Sequence, residues 1–345
     1  MPEVMLVTGG CGFIGSCFVL QELRMYPDLR LVNVDNLTYA GNPDNVREVA
    51  EDPRYRFVKA DVADRPAVEQ VFAEEHPTQV VHFAAESHVD RSIADPDIFM
   101  RTNALGSGVM LDVALHAWQR DGYLDAARFV YISTDEVYGD LPLASREKFT
   151  EESPLHPNSP YSVSKAAGDL LAQVYHHTYG MPALVTRSSN NFGPRQYPEK
   201  LIPLTIRRAL AGEPIPIYGD GSNVRDWLYV EDNCRAIDAV LRQGIPGQVY
   251  NIAGGNEMSN RDVVHLVLHA LAEYTGVAVE QYERLITAVP DRPGHDRRYA
   301  LCDARTRQEL SWQPRTVMAA GLRNAVADLC GRWGPVSSSS TPSQA

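Results

Sequence analysis

The sequence predicts a doubly wound α/β fold: a parallel sheet covered on both faces by helices, with a smaller C-terminal substrate domain interleaved with it. Three observations carry that expectation. Short apolar runs alternate with helical patterns through the first 186 residues, as βαβ units do. The first run passes into a helix through a glycine-rich turn. Beyond residue 187, prolines and glycines break the chain into shorter elements, which marks a second body of structure.

In order, Val4–Thr8 is a short buried strand, and Gly9-Gly10-Cys11-Gly12-Phe13-Ile14-Gly15 leads from it into a helix reaching about Met25. Glycines at 9, 12 and 15 let the backbone approach a pyrophosphate at the helix N-terminus. A tight strand-to-helix turn needs glycine for itself, so the triplet alone says little. The second strand, Leu31–Val34, adds weight because it ends in Asp35-Asn36. Asp35 lies 20 residues beyond Gly15, the spacing of a carboxylate that holds both ribose hydroxyls of NAD. That carboxylate repels a 2′-phosphate, so NAD is expected over NADP.

Tyr55–Ala60 reads as the third strand and presents Asp61-Val62 to an adenine; Arg65–Glu75 reads as a helix. Gln79–Ala85 reads as the fourth strand, ending in Ala84-Ala85 and followed by Glu86-Ser87-His88-Val89-Asp90. His82 and His88 lack clustered companion ligands, so core packing and a loop contact are expected of them, and no metal. Asp95–Gln119 is expected as a long helix with Leu105, Val109, Leu111, Leu115 and Trp118 on buried faces.

Arg128–Ile132 is a buried strand that runs into Ser133-Thr134-Asp135-Glu136-Val137-Tyr138-Gly139. In an open α/β sheet, a hydroxyl and two carboxylates at the carboxyl end of a strand face a bound molecule. Two acids opening a loop are, taken alone, most often ordinary solvated side chains. The four-residue spacing of Tyr161 and Lys165 sets them side by side on one helix face. Ala183–Thr186 is a further strand, followed by Arg187–Pro194. Arg225–Val230 and Val249–Ile252 are expected as strands returning toward the sheet, and Val263–Tyr274 as an amphipathic helix. Asp291–Tyr299 is a basic loop in an acidic protein. Residues 1–186, with returning segments about 225–262, are assigned to the NAD-binding domain. Residues 187–224 and 263–334 are assigned to the substrate domain, and the Ser/Thr/Pro-rich residues 335–345 to a flexible tail.

Composition narrows the function. The 345 residues suffice for one large α/β domain or two domains with a well-buried core. Acids outnumber bases 44 to 32, a net charge of −12, which argues against a surface that tracks nucleic-acid phosphates. No apolar run approaches the roughly 20 residues of a membrane span. The N-terminus has no basic lead, so no signal peptide is expected. The five cysteines, Cys11, Cys17, Cys234, Cys302 and Cys330, are odd in number and scattered, as apolar fillers in a reducing cytoplasm would be.

From Gly9 to about Trp333 the chain resembles the extended short-chain dehydrogenase/reductase family, on Gly-x-x-Gly-x-x-Gly together with Tyr161-x-x-x-Lys165. Within it, Ser133–Gly139 is similar to the signature of the nucleotide-sugar 4,6-dehydratases. Ser188–Pro194, Pro198–Pro203, Arg225-Asp226-Trp227 and Asp291–Tyr299 match that branch further. Cys11 departs from the small residue usual at its position, and the loop after Gly139 is of the short kind. The resemblance implies a Rossmann-like sheet, NAD as cofactor and a dTDP-sugar substrate. It implies neither nucleic acid nor membrane as partner, and a homodimer formed through helices around Leu105–Trp118 and Tyr161–Tyr179.

It also implies the chemistry. Oxidising C4 of a bound glucose makes the C5 proton acidic, the C6 hydroxyl is then eliminated, and the hydride returns to C6. Tyr161 would be the base for O4, helped by Lys165, with Thr134 hydrogen-bonded to O4. Glu136 would take the C5 proton, and Asp135, kept protonated, would donate to the departing hydroxyl; two adjacent carboxyls drive their pKa values apart. Bringing a tyrosine from about 10 to 7 takes about 4 kcal/mol. A cation about 4 Å away at an effective dielectric of about 20 supplies that much. For the substrate, the resemblance places Lys200, Arg225, Arg292 and His295 near the diphosphate. Asn190 and Glu199-Lys200-Leu201 then line the sugar and phosphate side, Pro216, Tyr218, Asn260 and Tyr299 the base and ribose, and Ser87 is a further substrate contact. Taken singly, Arg225 and Arg292 read equally well as surface ion pairs, and Tyr218 as core.

Rival readings stay open at this point. UDP- or CDP-sugar dehydratases differ in the base; thymine against uracil is one methyl, worth about 1–3 kcal/mol in an apolar pocket. Related epimerases lack the Asp-Glu pair, and uronate decarboxylases carry Ser at the position of Asp135. A non-catalytic NAD-binding protein would have no need of Thr134, Asp135, Glu136, Tyr161 and Lys165 together.

Overall fold

The computed structural model describes residues 3–292 and 294–333; the expected tail, 335–345, lies outside the described residues. Its main sheet takes β1 (Val4–Thr8), β2 (Arg30–Asp35), β3 (Tyr55–Lys59), β4 (Gln79–His82), β5 (Arg128–Ile132) and β6 (Ala183–Ser188). A late strand, β10 (Val249–Ile252), completes it. The order is β10-β6-β5-β4-β1-β2-β3, and every pairing is parallel. Parallel strands buried on both faces are apolar along most of their length, and all five residues of β1 are buried, with Thr8 its one polar residue. Alternation divides them: Met5 and Val7 face one core with Phe18, Leu23, Ile237 and Val240, whereas Leu6 faces the other with Phe72, Leu111, Leu115 and Trp118. Chain order reverses between β1 and β4, so their carboxyl ends splay and open a crevice.

Short elements cap the carboxyl side. β7 (Asn190–Phe192), β9 (Val224–Tyr229) and β11 (Glu257–Ser259) form one small sheet; β8 (Ile215–Tyr218) and β12 (Ile286–Val289) form another. A third core lies beneath them, where Ile206, Val263, Val267, Leu271, Leu322 and Val326 meet from the helices Leu201–Ala211, Asn260–Thr275 and Met318–Trp333.

Four expectations need correction. β4 stops at His82, three residues early: a Cβ on Gly9 would stand 2.7 Å from the Ala84 nitrogen, so the glycine turn after β1 packs against the chain where the ladder would otherwise continue. The Asp95–Gln119 segment is not one regular helix. Pro96–Phe99 passes into a π-helical segment, Met100–Gly106, before the α-helix Ser107–Asp121. The wider turn rotates Leu105 outward, where it is 57% exposed instead of buried, while Asn103 becomes fully buried. β9 does not return to the main sheet but pairs with β7 and β11, and Val230 already begins the helix Val230–Gln243. β6 runs two residues beyond Thr186, to Ser188.

Candidate active site

The crevice encloses about 480 Å³, in the range of small-ligand sites, and every site residue named from the sequence lines it. Its cofactor half is built from backbone. Gly9 has φ +71°, and a Cβ on Gly15 would meet the Gly9 carbonyl oxygen at 2.2 Å, so this turn brings the helix Phe13–Met25 too close to β1 for any side chain. Asp35 closes this half. Its two oxygens accept the N–H groups of Cys11 (2.9 Å) and Leu37 (2.8 Å), each keeping lone-pair capacity for a ligand hydroxyl. Asp61 accepts from Ala63 N–H at 2.8 Å and pairs with Arg101 at 2.7 Å. A cradle that excludes Cβ atoms, opposite a buried carboxylate, fits the pyrophosphate and ribose of NAD.

The catalytic turn follows β5. Thr134 caps the 3-10 turn Asp135–Tyr138 by accepting Glu136 N–H at 3.3 Å. Gly139 leaves it at φ +85°, where a Cβ would stand 2.3 Å from His156 O. Below the turn, Tyr138 stacks on Phe149 with ring centroids 5.0 Å apart and donates to Asn251 Oδ1 at 2.8 Å. Arg187 donates to the Tyr138 hydroxyl at 2.8 Å and makes two 2.8 Å bonds to the buried Asp169. A paired, hydrogen-bonded buried ion of this kind fixes geometry even where it adds little net stability. Opposite, the helix Pro160–Tyr179 starts with Pro160 behind a Ser159/Ser162 capping box, both bonds 3.0 Å, and brings Tyr161 to the crevice.

The two acids differ in surroundings. Asp135 is held well above the usual carboxylate range by burial and by Glu136 beside it. Its Oδ1 accepts from Thr134 Oγ1 at 3.2 Å, while Oδ2 is buried without a partner. Glu136 is raised too, by burial, with Lys200, Arg225 and Arg292 offsetting only part of the rise. Lys165 departs from expectation. Its ammonium donates to Ile132 O at 2.5 Å and lies 4.4 Å over the Tyr131 ring, drawn to the last carbonyl of β5. Burial lowers its pKa to about 7, and Tyr161 is pushed well up by burial and by Glu136. The one-helix-face spacing is as read, yet Lys165 does not by itself make Tyr161 a phenolate.

Across the crevice stand the cations. Lys200 donates to Ser87 O at 2.7 Å. Arg225 is buried, not a surface ion pair: it donates to Val224 O (2.8 Å) and Asp296 O (2.9 Å) and packs 4.2 Å over the Tyr299 ring. Tyr299 gives its own hydroxyl to Asp296 Oδ2 at 2.5 Å. Arg292 does pair with Asp90, at 3.3 Å, and Asp90 also accepts from the part-exposed Tyr218 at 3.2 Å, so Tyr218 is not core. His295 bonds Asp291 at 2.6 Å. Glu199 meets Arg91 at 3.4 Å, and Arg91 lies 3.8 Å over Tyr39, which joins the loop after Asp35 to the sugar side. Asn190 Oδ1 is buried without a partner. His82 bridges Thr8 (2.6 Å) and Ser107 (3.1 Å), and His88 accepts Arg91 N–H at 3.4 Å, the core and loop duties expected of them.

Sequence reasoning missed Asp90, Gln196, Trp227 and Asn233, which also line the crevice. Gln196 Oε1, Trp227 Nε1 and Asn233 Nδ2 are buried there without protein partners. Asn233 carried a usable signal, a polar residue on the apolar face of Val230–Gln243; Trp227 was read as part of a strand and of the Arg225-Asp226-Trp227 motif, without a contact of its own.

A family model described as GDP-mannose 4,6 dehydratase matches residues 6–325. The dTDP-glucose 4,6-dehydratase of Neisseria gonorrhoeae is 48% identical over 327 residues, 93% of this chain and 94% of the relative. That of Escherichia coli is 45% identical over 337 residues, covering 93% and 92%. The crystal structure of DesIV, a dTDP-glucose 4,6-dehydratase from Streptomyces venezuelae with NAD bound, superposes with a TM-score of 0.87 at 43% identity, over 96% of this chain and 99% of that one. UDP-glucose 4-epimerase from Thermotoga maritima superposes at 0.84 with 29% identity, covering 96% and 99%. Fold likeness therefore extends to both chemistries, and the side chains at the end of β5 must separate them.

Proposed function

The chain belongs to the GDP-mannose 4,6 dehydratase family, and from that premise we propose that it converts dTDP-glucose to dTDP-4-keto-6-deoxyglucose and water. The observation that carries this reading is the Asp135–Glu136 pair, two adjacent carboxyls on one turn: burial and Glu136 hold Asp135 well above the usual carboxylate range, while at Glu136 three cations, Lys200, Arg225 and Arg292, offset part of the rise that burial causes. A 4-epimerase, which inverts C4 by hydride transfer alone, has no use for an acid and a base beside C5 and C6.

NAD, when bound, supplies the hydride acceptor for C4, the donor that returns hydride to C6, and the positive charge of its nicotinamide. Gly9, Gly12, Phe13, Ile14 and Gly15 would carry its pyrophosphate, Asp35 and Asn36 its ribose, Asp61 and Val62 its adenine, and Ala84 and Ala85 the floor beneath it. Tyr161 takes the O4 proton and Thr134 orients that hydroxyl. Glu136 removes the C5 proton once C4 is a ketone. Asp135 protonates the C6 hydroxyl as it leaves; its unpartnered Oδ2 is the free position for that contact. Lys200, Arg225, Arg292 and His295 hold the diphosphate. A bound diphosphate engages the same cations that favour ionised Glu136, so substrate binding strengthens Glu136 as a base. Asn190, Glu199 and Leu201 line the sugar, and Pro216, Tyr218, Asn260 and Tyr299 the base and ribose.

The same proposal assigns residues 1–186 and 225–262 mainly to the cofactor and residues 187–224 and 263–334 to substrate. It places the protein in the cytoplasm; among the described residues no helix is long and apolar enough to cross a membrane. It pairs two copies through the exposed apolar side chains Leu105, Val163, Leu170, Val174 and Tyr179; sedimentation of Leu170→Glu, which should yield monomer, tests that face. The function is tested by incubating the protein with dTDP-, UDP-, CDP- and GDP-glucose and identifying products by mass. Loss of water with dTDP-glucose is expected to dominate. Epimerised but undehydrated sugar, or no product, overturns it.

A further inference from the structure

We propose that Thr134 carries a proton from Tyr161 back to Asp135 after each turnover, so that the three side chains form a closed proton circuit. The inference rests on the dehydration assigned above and follows from its balance. Tyr161, as phenolate, accepts the O4 proton while the C4 hydrogen departs as hydride. Glu136 accepts the C5 proton and gives it back to C5 as hydride reaches C6. Asp135 gives its proton to the C6 oxygen, the C6–O bond breaks, and water leaves. The hydride is returned and Glu136 is restored. Tyr161 ends with one proton too many, and Asp135 with one too few. A second turnover needs one proton moved from the phenol to the carboxylate.

The geometry supplies the path. Thr134 Oγ1 donates to Asp135 Oδ1 at 3.2 Å, and its hydroxyl lies beside the Tyr161 phenol, both side chains lining the crevice, near enough to lower that phenol's pKa. Glu136 N–H, at 3.3 Å, pins the same oxygen to the cap of the turn. A hydroxyl has one donor and two acceptor positions. With one acceptor position held by the backbone, the other can receive from Tyr161 while the single proton passes to Asp135. Solvent access is poor: Asp135 is 2% exposed, Tyr161 8% and Thr134 9%. Refilling exchanges one like-charge contact for another: Asp135 faces Glu136, Asp226 and Arg225, and the Tyr161 phenolate that remains faces Glu136 and Tyr131. Two ionised carboxylates side by side in a buried turn are relieved when one takes a proton. A half-turn of the carboxyl then presents that proton to the crevice.

The test is quenched flow with excess dTDP-glucose on the full protein, counting ketosugar per active site. Thr134→Val removes the relay at nearly constant volume, and its loss of the O4 contact slows the first turnover. The circuit predicts a further break inside the variant: about one equivalent of product, then a steady phase at least tenfold slower than the first. The steady phase should be slowed by deuterated solvent and sped by small acids such as imidazolium, and Thr134→Ser should abolish the break. Equal first and later turnovers in Thr134→Val would confine Thr134 to the O4 step and overturn the circuit. Wild type gives a check free of any folding defect. Its turnover should not depend on the concentration of a small acidic buffer, and a rate that climbs with buffer assigns refilling to solvent and overturns the proposal. Failure of the dehydratase reading looks different, since wild type would then form no ketosugar in either phase.

Discussion

Along the wall formed by β1 and the end of β4, peptide groups stand at the crevice, and a Cβ on Gly9 or Gly15 would collide with backbone. Across the crevice, Lys200, Arg225 and Arg292 reach in on long side chains, steadied by the carbonyls of Ser87, Val224 and Asp296 and by the carboxylate of Asp90. One wall is shaped by what is missing from it, the other by what is attached. A backbone wall holds a shape common to all dinucleotides and fails abruptly. A wall of tethered charges holds a variable ligand and should fail by degrees.

The sharpest way to break that comparison is Gly15→Ala. Its methyl would overlap the Gly9 carbonyl, so the variant should lose co-purifying NAD essentially completely, read by chromatography of the cofactor released from denatured protein. Retained NAD would mean the turn yields and the contrast is false. Tyr161→Phe, at the seam between the walls, should keep the cofactor while turnover falls about 10²–10⁴-fold, the usual weight of a general base; near wild-type turnover would move the base elsewhere.

Next come the two acids, which share one turn and should separate in deuterated buffer. Glu136→Gln should allow C4 oxidation yet block deuterium entry at C5. Asp135→Asn should retain that entry while dehydration slows, by a factor again of about 10²–10⁴. Mass spectrometry of recovered substrate reads both, and the opposite pattern would invert the roles. Arg292→Ala should show graded failure: a KM for dTDP-glucose raised about 10–100-fold, as for loss of one charged hydrogen bond of about 1.5–3 kcal/mol, with the cofactor untouched.

The smallest effect is on stability. Folded Asp135 keeps its proton above the usual carboxylate range, whereas the unfolded chain releases it near about pH 4. Between those values the native state binds the extra proton, so wild-type stability falls as pH rises. Asp135→Asn escapes that loss, so its melting temperature should exceed that of wild type by a margin that widens from pH 5 to pH 8. A constant margin would show that Asp135 is ionised in the native crevice.

The backbone wall was the more legible of the two in the sequence, and the physics explains why. Its glycines, Asp35 and the strands that carry them fall in one short stretch, and parallel strands buried on both faces read as continuous apolar runs. The cation wall draws Ser87, Lys200, Arg225 and Arg292 from distant segments, and only the family's motifs gathered them. Rotamers left no trace in the letters: the four-residue step from Tyr161 to Lys165 gives a shared face, not that the ammonium turns to Ile132 O. Nor did the partner of β9, which depends on where β7 and β11 arrive. The π-helical segment went unseen because one extra residue per turn barely disturbs a helical pattern of apolar side chains.

That segment bears on how the chain tolerates insertion and deletion. Asn103, within Met100–Gly106, exchanges two 2.9 Å bonds with the backbone of Glu86 and donates to Ser164 Oγ at 2.8 Å; Ser164 in turn donates to Tyr161 O at 2.6 Å. A single amide thus ties the loop after β4 to the start of the helix that carries Tyr161. Excising one residue here, such as Ala104, would let an ordinary α-helix of higher regularity run through. It would also swing Asn103 about 100° around the axis and cut that tie. The more regular helix would be the poorer framework, and a family that keeps this chemistry should resist such a deletion while accepting length changes in its surface loops.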